Sequence, residues 1–281
     1  MKISIIGIGL IGGSMAIALR EKGIAKHIIG VDTNVENAQR SLQLQLVDEI
    51  NELDVAIQKS DLIILAIPVD AILKMLPIVL DNINSNAIVI DMGSTKQSIC
   101  KIADMHKNRK QFIALHPMAG TENSGPEAAI SKLFENKLAI ICDEENSDIE
   151  KVRIIKNILN DIGMKVKHMN SKEHDTHAAY VSHISHITSF MLAETVLDVE
   201  KSELAILDMA SGGFESTVRL AKSSPEMWAP IFLNNKESIL IAINQYMSNL
   251  NAFKNHLINN ETTDLLQTMK KANEIKKIWH K

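Results

Sequence analysis

The feature that most limits what this chain can fold into lies at its very start. A short apolar run, Ile3 to Ile6, leads straight into Gly7-Ile8-Gly9-Leu10-Ile11-Gly12, and a second apolar stretch follows. A GxGxxG pattern taken alone is a weak signal. Placed between a strand and a helix it has a mechanical reading. The first glycine allows a tight turn, the second lets a pyrophosphate approach the backbone, and the third lets helix and strand pack closely. The helix N-terminus then offers free N–H groups and a favourable dipole to the phosphates. Asp32 follows Gly12 by twenty residues, at the end of the next apolar run. That is the spacing of a carboxylate that holds the ribose hydroxyls of a dinucleotide. Such a carboxylate repels a 2′-phosphate, and no arginine directly follows it, so NAD is favoured over NADP.

The chain up to about His168 continues in the same grammar. Apolar runs at 3–7, 27–31, 62–67, 87–91, 112–116, 138–142 and 165–169 alternate with helix-length segments. One such segment, 69–81, carries Ile72, Leu73, Leu76 and Val79 at helical spacing. The first five runs read as strands buried on both faces. Strand–helix alternation implies a doubly wound parallel sheet of the Rossmann type. Ligands sit outside the carboxyl ends of such strands. Ala66, Ile67 and Pro68, and then Ser94, are therefore expected beside the cofactor. Ser94 fits equally well as a cap of the helix that follows it. Beyond Asn170 no strand is evident. Asn170 and Glu173 form a capping-box pattern that starts a helix running to about Val199. Ser224–Pro225 starts another helix, and a last one spans about Thr262 to Trp279, with Gly212 and Gly213 as a break between. The chain is thus expected to form an α/β Rossmann domain over 1–169 and an all-α domain over 170–281.

Composition removes several alternatives. The net charge of −4 shows no basic stripe for nucleic acid and no polybasic run for an anionic membrane. Two cysteines, Cys100 and Cys142, form neither a disulfide framework nor a zinc ribbon, and a reducing cytoplasmic setting is expected. The apolar stretch from Ile3 to Leu19 resembles a secretory leader, but four glycines interrupt it and favour the strand–turn–helix reading. No other run is long enough to cross a bilayer.

Five of the ten histidines fall between His168 and His186. On one regular helix, at about 100° per residue, His174 and His177 share a face and His183 and His186 lie near the opposite one. They do not converge on one ion, no HExxH is present, and no metal is expected. Two pairs on opposite faces suit two jobs, one towards the cofactor domain and one towards the helical part. His116 ends a buried strand at the ligand edge. An imidazole there can take a proton from a hydroxyl while hydride leaves the same carbon. The position fits equally a histidine paired with a backbone group. Arg219 offers a fork for a carboxylate, although a surface arginine has the same pattern.

Taken together, GIGLIGGS at 7–14, LHPMAGTENSGPEAA at 115–129, HDTHAAYVSHISH at 174–186 and GGFESTVRLAKSSPEMWAPIFLNNK at 212–236 resemble prephenate dehydrogenases, a family that includes arogenate dehydrogenases. The resemblance covers nearly the whole chain. It implies NAD-dependent oxidation of prephenate with loss of CO2, giving 4-hydroxyphenylpyruvate for tyrosine synthesis. It implies that His116 is the catalytic base and that Ser94 helps to position that base and the hydroxyl. Arg219, His186, Thr121, Glu122 and Trp228 would face the substrate. Gly7, Gly9, Leu10, Ile11, Gly12, Asp32, Ala66, Ile67 and Pro68 would face NAD. Ser216 stands where some relatives carry an acidic residue. The resemblance further implies a homodimer formed through the helical domain, and 281 residues leave no room for an added regulatory domain. Three other readings remain: arogenate as substrate, a hydroxyacid dehydrogenase, and a non-catalytic NAD(H) sensor. Hydroxyacid dehydrogenases with a helical second domain generally use a lysine there, where this chain offers histidines. A sensor would keep Gly7, Gly9, Gly12 and Asp32 but would not need His116, Ser94 and Arg219 together.

Overall fold

The computed structural model describes residues 1–201 and 206–278. Trp279, the expected end of the last helix, lies outside the described residues. The chain divides into two compact units, Met1–Lys236 and Glu237–Lys281.

The first unit holds an eight-stranded sheet. Its strands are β1 (Lys2–Ile6), β2 (His27–Val31), β3 (Glu49–Ile50), β4 (Leu62–Leu65), β5 (Ile88–Asp91), β6 (Phe112–Pro117), β7 (Leu138–Cys142) and β8 (Lys165–Met169), in the order 3-2-1-4-5-6-7-8. The reversal at β1 makes the crevice between β1 and β4 the switch point of a doubly wound fold. The connecting helices are α1 (Leu10–Glu21), α2 (Val35–Gln43), α3 (Leu53–Lys59), α4 (Val69–Asn82), α5 (Gln97–Asp104) and α6 (Ile149–Asp161).

Strand alternation divides the apolar residues between two cores. Ile3, Ile5, Leu62, Ile64, Ile88, Ile90, Ile113 and Leu115 pack with Met15 and Leu19 of α1 and with Ile155 and Leu159 of α6. Ile6, Ile63, Leu65, Val89, Phe112 and Ala114 pack on the other face with Ile72, Leu76 and Val79 of α4 and with Ile99 of α5. Trp228 and Ile231 belong to this second core. The period of two therefore aims His116, two residues beyond Ala114, at the face that carries Trp228.

The sheet departs from the parallel reading at one place. β6 and β7 are antiparallel, with His116 opposite Ile140, while β7 and β8 are parallel. A parallel neighbour needs a crossover, usually a helix. Residues 118–137 contain only a 3₁₀ turn, Pro126–Ala128, so the chain stays at the ligand edge and β7 runs back from it. The two-residue β3 was not legible in the sequence. It is too short for a period, and it is held through Ile29 and Gly30 of β2.

The remainder of this unit is helical: α7 (Ser171–Ala178), a π turn (Ala179–His183), α8 (Ile184–Glu200), α9 (Gly212–Val218) and α10 (Pro225–Asn234). The Asn170 side chain caps α7 through Lys172 N (2.9 Å), and Ser224 caps α10 through Met227 N (3.2 Å). Among the described residues after β8 there is no strand. The second unit is built from α11 (Lys236–Ile258), α12 (Thr262–Asn273) and α13 (Ile275–Ile278). No helix among the described residues is long and apolar enough to cross a membrane.

Candidate active site

The glycine turn is shaped by close contacts. Gly7 has a φ of +90°, and a Cβ there would lie 2.5 Å from the Ala66 carbonyl oxygen. A Cβ on Gly12 would lie 2.0 Å from the Gly7 oxygen, so helix and turn touch backbone to backbone. Gly9 differs. Its added Cβ would meet nothing nearer than 4.0 Å, and the residue borders an open cavity. Packing explains Gly7 and Gly12, whereas Gly9 keeps room for a ligand. Asp32 directly follows β2, and its carboxylate accepts from Ile8 N (3.0 Å) and Asn34 N (2.9 Å), beside the turn. These residues fit a dinucleotide, with the α1 N-terminus available to the phosphates.

The cavity measures about 570 Å³, within the range of small-molecule sites. Gly9, Leu10, Ile11, Ala66, Ile67, Pro68 and Ser94 line it, and so do His116, Thr121, Glu122, His186, Arg219 and Trp228. The expected cofactor-side and substrate-side residues thus border one space, while Gly7, Gly12 and Asp32 shape it from outside the lining.

The histidine pattern is the largest departure from a regular helix. The π turn at Ala179–His183 inserts about one extra residue into the spiral. That moves His183 from about 180° to about 80° from His174, and His186 from about 120° to about 20°. The expected opposition of the two pairs is therefore lost. His174 and His183 are both buried and His177 is exposed. His116 Nδ1 and His174 Nε2 are 2.8 Å apart, and His174 Nδ1 is 2.8 Å from Asp175 Oδ1. Asp175 also accepts from Lys96 N (2.7 Å) and Gln97 N (2.9 Å), the first N–H groups of α5. Ser94 accordingly does not cap that helix. It borders the cavity and makes no hydrogen bond among the described residues, and the group bonded to His116 there is the His174 imidazole.

Burial, then His174, Lys96 and His183 in turn, push the His116 pKa well below the ordinary imidazole value. The base is therefore unprotonated throughout the neutral range. Burial pushes His183 down to about 4, against the pull of Asp175. Burial lowers His186 as well, against the Ser182 carbonyl that its Nδ1 meets at 3.0 Å. The His186 ring stacks on Trp228 with centroids 3.5 Å apart. Trp228 Nε1 is buried with no hydrogen-bond partner.

Arg219 meets Glu122 at 3.5 Å, with both side chains substantially exposed. Such a pair is weak, and the guanidinium is free to exchange it for a ligand carboxylate. Lys137 is the other cation on the cavity wall, and no ion pair holds it among the described residues. The sequence reading missed it because a parallel β7 would have put the residue just before that strand at the far edge of the sheet. Ser182 and Asn235 were missed for a related reason. Ser182 reaches the wall through the π turn, and Asn235 joins the Asp175 carbonyl (2.6 Å) to His183 Nδ1 (3.1 Å) across 60 and 52 residues of sequence. Among the described residues, none of the histidines around the cavity belongs to a group that could share a metal ion. The one such group is His256, Glu261 and Asp264, where Glu261 already occupies His256 Nδ1 at 2.7 Å.

A Rossmann sheet, a glycine turn with room for a dinucleotide, and a basic histidine on the same cavity define an NAD-dependent dehydrogenase. Comparison with known proteins narrows the class. The prephenate dehydrogenase nucleotide-binding domain matches residues 15–168, and the prephenate dehydrogenase dimerization domain matches residues 170–271. The chain belongs to the prephenate dehydrogenase family. It is 32% identical over 275 residues to a prephenate dehydrogenase of Bacillus subtilis, covering 97% of this chain and 74% of that one. The crystal structure of prephenate dehydrogenase from A. aeolicus in complex with hydroxyphenyl propionate and NAD+ has a TM-score of 0.88 and 29% identity, covering 99% of this chain and 97% of the other. The structure of Synechocystis arogenate dehydrogenase has a TM-score of 0.79 and 27% identity, with both chains covered completely.

Proposed function

We propose that this protein oxidises prephenate with NAD+, releasing CO2 and forming 4-hydroxyphenylpyruvate. One observation carries the reading: a single cavity is bordered both by Gly9, Leu10 and Ile11 and by His116, His186 and Arg219. The nicotinamide, when bound, supplies the hydride acceptor. His116 then takes the proton of the ring 4-hydroxyl as hydride leaves the same carbon. The electrons of the bond to the ring carboxylate pass into the ring, CO2 departs, and the ring becomes aromatic. The phenolate oxygen recovers the proton from His116, so the base ends as it began. Aromatisation drives the reaction, and the protein's part is orientation and one proton acceptor.

The division of labour follows the two halves of the chain: residues 1–169 bind NAD, with Asp32 on the ribose, and residues 170–281 supply the substrate side and the dimer contacts. Ser94 borders the same cavity as His116 and offers its hydroxyl to that base and the substrate. Thr121 and Glu122 form the rim, and Trp228 offers an unpaired N–H. Prephenate carries two carboxylates, and the wall carries two cations, Arg219 and Lys137. Arg219→Gln raises KM for prephenate by about ten- to a hundredfold, with kcat changed only a few-fold, because it removes an interaction present in ground and transition states alike. An unchanged KM would move the carboxylate elsewhere.

The working form is a homodimer. Of the 23 residues of α11 only Ile239 and Ala242 are buried, while Leu240, Ile241, Met247 and Leu250 are exposed, more apolar surface than a lone helix leaves in water. Both cysteines are free and buried, which suits the cytoplasm.

The deciding experiment follows NADH formation by the purified protein with NAD+ and prephenate or arogenate. Turnover of prephenate in preference to arogenate is expected. Turnover of arogenate alone would change the substrate and keep the chemistry at His116, and silence with both would overturn the proposal.

A further inference from the structure

We infer that His174 and Asp175 are positioning residues that fix which nitrogen of His116 carries the proton. The inference rests on the assignment of His116 as the base. Its starting point is the polarity of one hydrogen-bonded row. Asp175 Oδ1 and Oδ2 already receive Lys96 N and Gln97 N. A carboxylate only accepts, so at 2.8 Å His174 Nδ1 must be the donor and must carry a hydrogen. In a neutral imidazole the other nitrogen is then a bare acceptor. His174 Nε2 therefore accepts from His116 Nδ1–H across 2.8 Å. His116 is left with a bare Nε2, the atom a base needs, in a side chain that borders the cavity.

The row does more than orient. When His116 Nε2 takes a proton, its Nδ1–H lies on an acceptor that is itself bonded to a carboxylate. The positive charge is thereby stabilised without water, since His174 and Asp175 are each 1% exposed. The surroundings oppose that charge: burial, then a charge on His174, then Lys96 and His183 disfavour it, so the row helps only through a neutral His174 imidazole, and Asp91 is occupied by Lys96. Among the described residues, the one carboxylate joined to the base through hydrogen bonds is Asp175. The same residue holds the α5 N-terminus, so this row ties the proton acceptor to the segment that carries Ser94.

A spectrum of the wild-type protein tests this without any variant. In the full chain with NAD+ bound and its histidines labelled with 15N, long-range 1H–15N correlations should show His116 and His174 each protonated at Nδ1 and bare at Nε2 at neutral pH. His116 protonated at Nε2 overturns the inference, whatever substrate the enzyme uses. Kinetics test the consequence. His174→Gln can present its oxygen to His116 and its NH2 to Asp175, keeping the polarity of the row, whereas His174→Leu abolishes it. The Leu variant should lose about 10- to 1,000-fold in kcat, with KM for prephenate within about twofold and the acid limb of kcat moved. The Gln variant should recover most of that loss. Equal losses in both variants, with KM and the pH profile unmoved, would reduce His174 to packing and overturn the inference. If neither prephenate nor arogenate is turned over, the functional reading fails while the spectrum still decides this one.

Discussion

His116→Asn lowers kcat by a factor on the order of 10² to 10⁴ and leaves KM for prephenate within about threefold. Asparagine keeps a polar group near the position of Nδ1 and can still meet His174, so the cavity wall is little changed. What it lacks is a site that accepts a proton as the hydride leaves. The pH profile sharpens the expectation. Burial and the neighbouring His174, Lys96 and His183 hold the His116 pKa well below the ordinary imidazole value. A group so depressed is in its basic form above that lowered value. Wild-type kcat/KM should therefore stay flat through neutral pH and fall only below the usual histidine range, and the Asn variant should lose that acid limb. Steady-state NADH formation against pH measures both. Near-normal turnover in the variant would remove His116 from the chemistry.

Asp91→Asn should cost about 3–5 kcal/mol of stability, the largest structural effect expected of any single polar change in this chain. Asp91 and Lys96 form an ion pair with both side chains fully buried. Asp91 also accepts from Gly93 N (2.9 Å) and Leu115 N (3.1 Å), so it fastens β5, the turn that carries Ser94, and β6 just before His116. Burial pushes the Asp91 carboxyl pKa up, and the Lys96 ammonium and the two N–H donors oppose that shift. Neutralising one partner leaves the other charge in the core with nothing to balance it. For a chain of this size the midpoint of thermal unfolding should fall by roughly 5–9 °C. A double variant, Asp91→Asn with Lys96→Met, should regain much of the loss, because the desolvated ammonium is gone. A single variant that melts with the wild type would show that the pair contributes nothing.

Most of the sheet was legible because buried strands are continuous apolar runs. Six of its eight strands lie where the apolar stretches fall; β3 is too short to show one, and β8, KVKHM, is largely exposed. The cofactor turn was legible because glycine chemistry there is local. Gly7, Gly9, Gly12 and Asp32 belong to a single strand–turn–helix–strand unit. The direction of β7 was not legible, since it depends on what the segment after Pro117 fails to build. The row from His116 to Asp175 was hidden for another reason. It joins residues 58 positions apart, and its partner Asp175 satisfies a helix start at Lys96 and Gln97 from 79 and 78 positions away. A local reading assigns that capping role to a nearby serine, and Ser94 was the natural candidate. The phase of the histidines failed for the same kind of reason. Nothing in AYVSH at 179–183 marks a π turn, and one additional residue per turn reverses which side chains share a face.

That π turn holds one residue more than a regular helix needs between the same two ends. Were it to relax to an ordinary α-helix with every residue kept, the helix after it would rotate by about 100° and advance by about 1.5 Å. His186 would leave the face of Trp228, and His183 would leave Asn235, with the composition unchanged. Loss of one residue within 179–183 has the opposite outcome: the bulge closes and His186 stays in phase with His174. The interval between the two histidines can therefore shorten by the one residue the bulge holds without changing which side chains share a face, whereas a residue added to it has no such compensation.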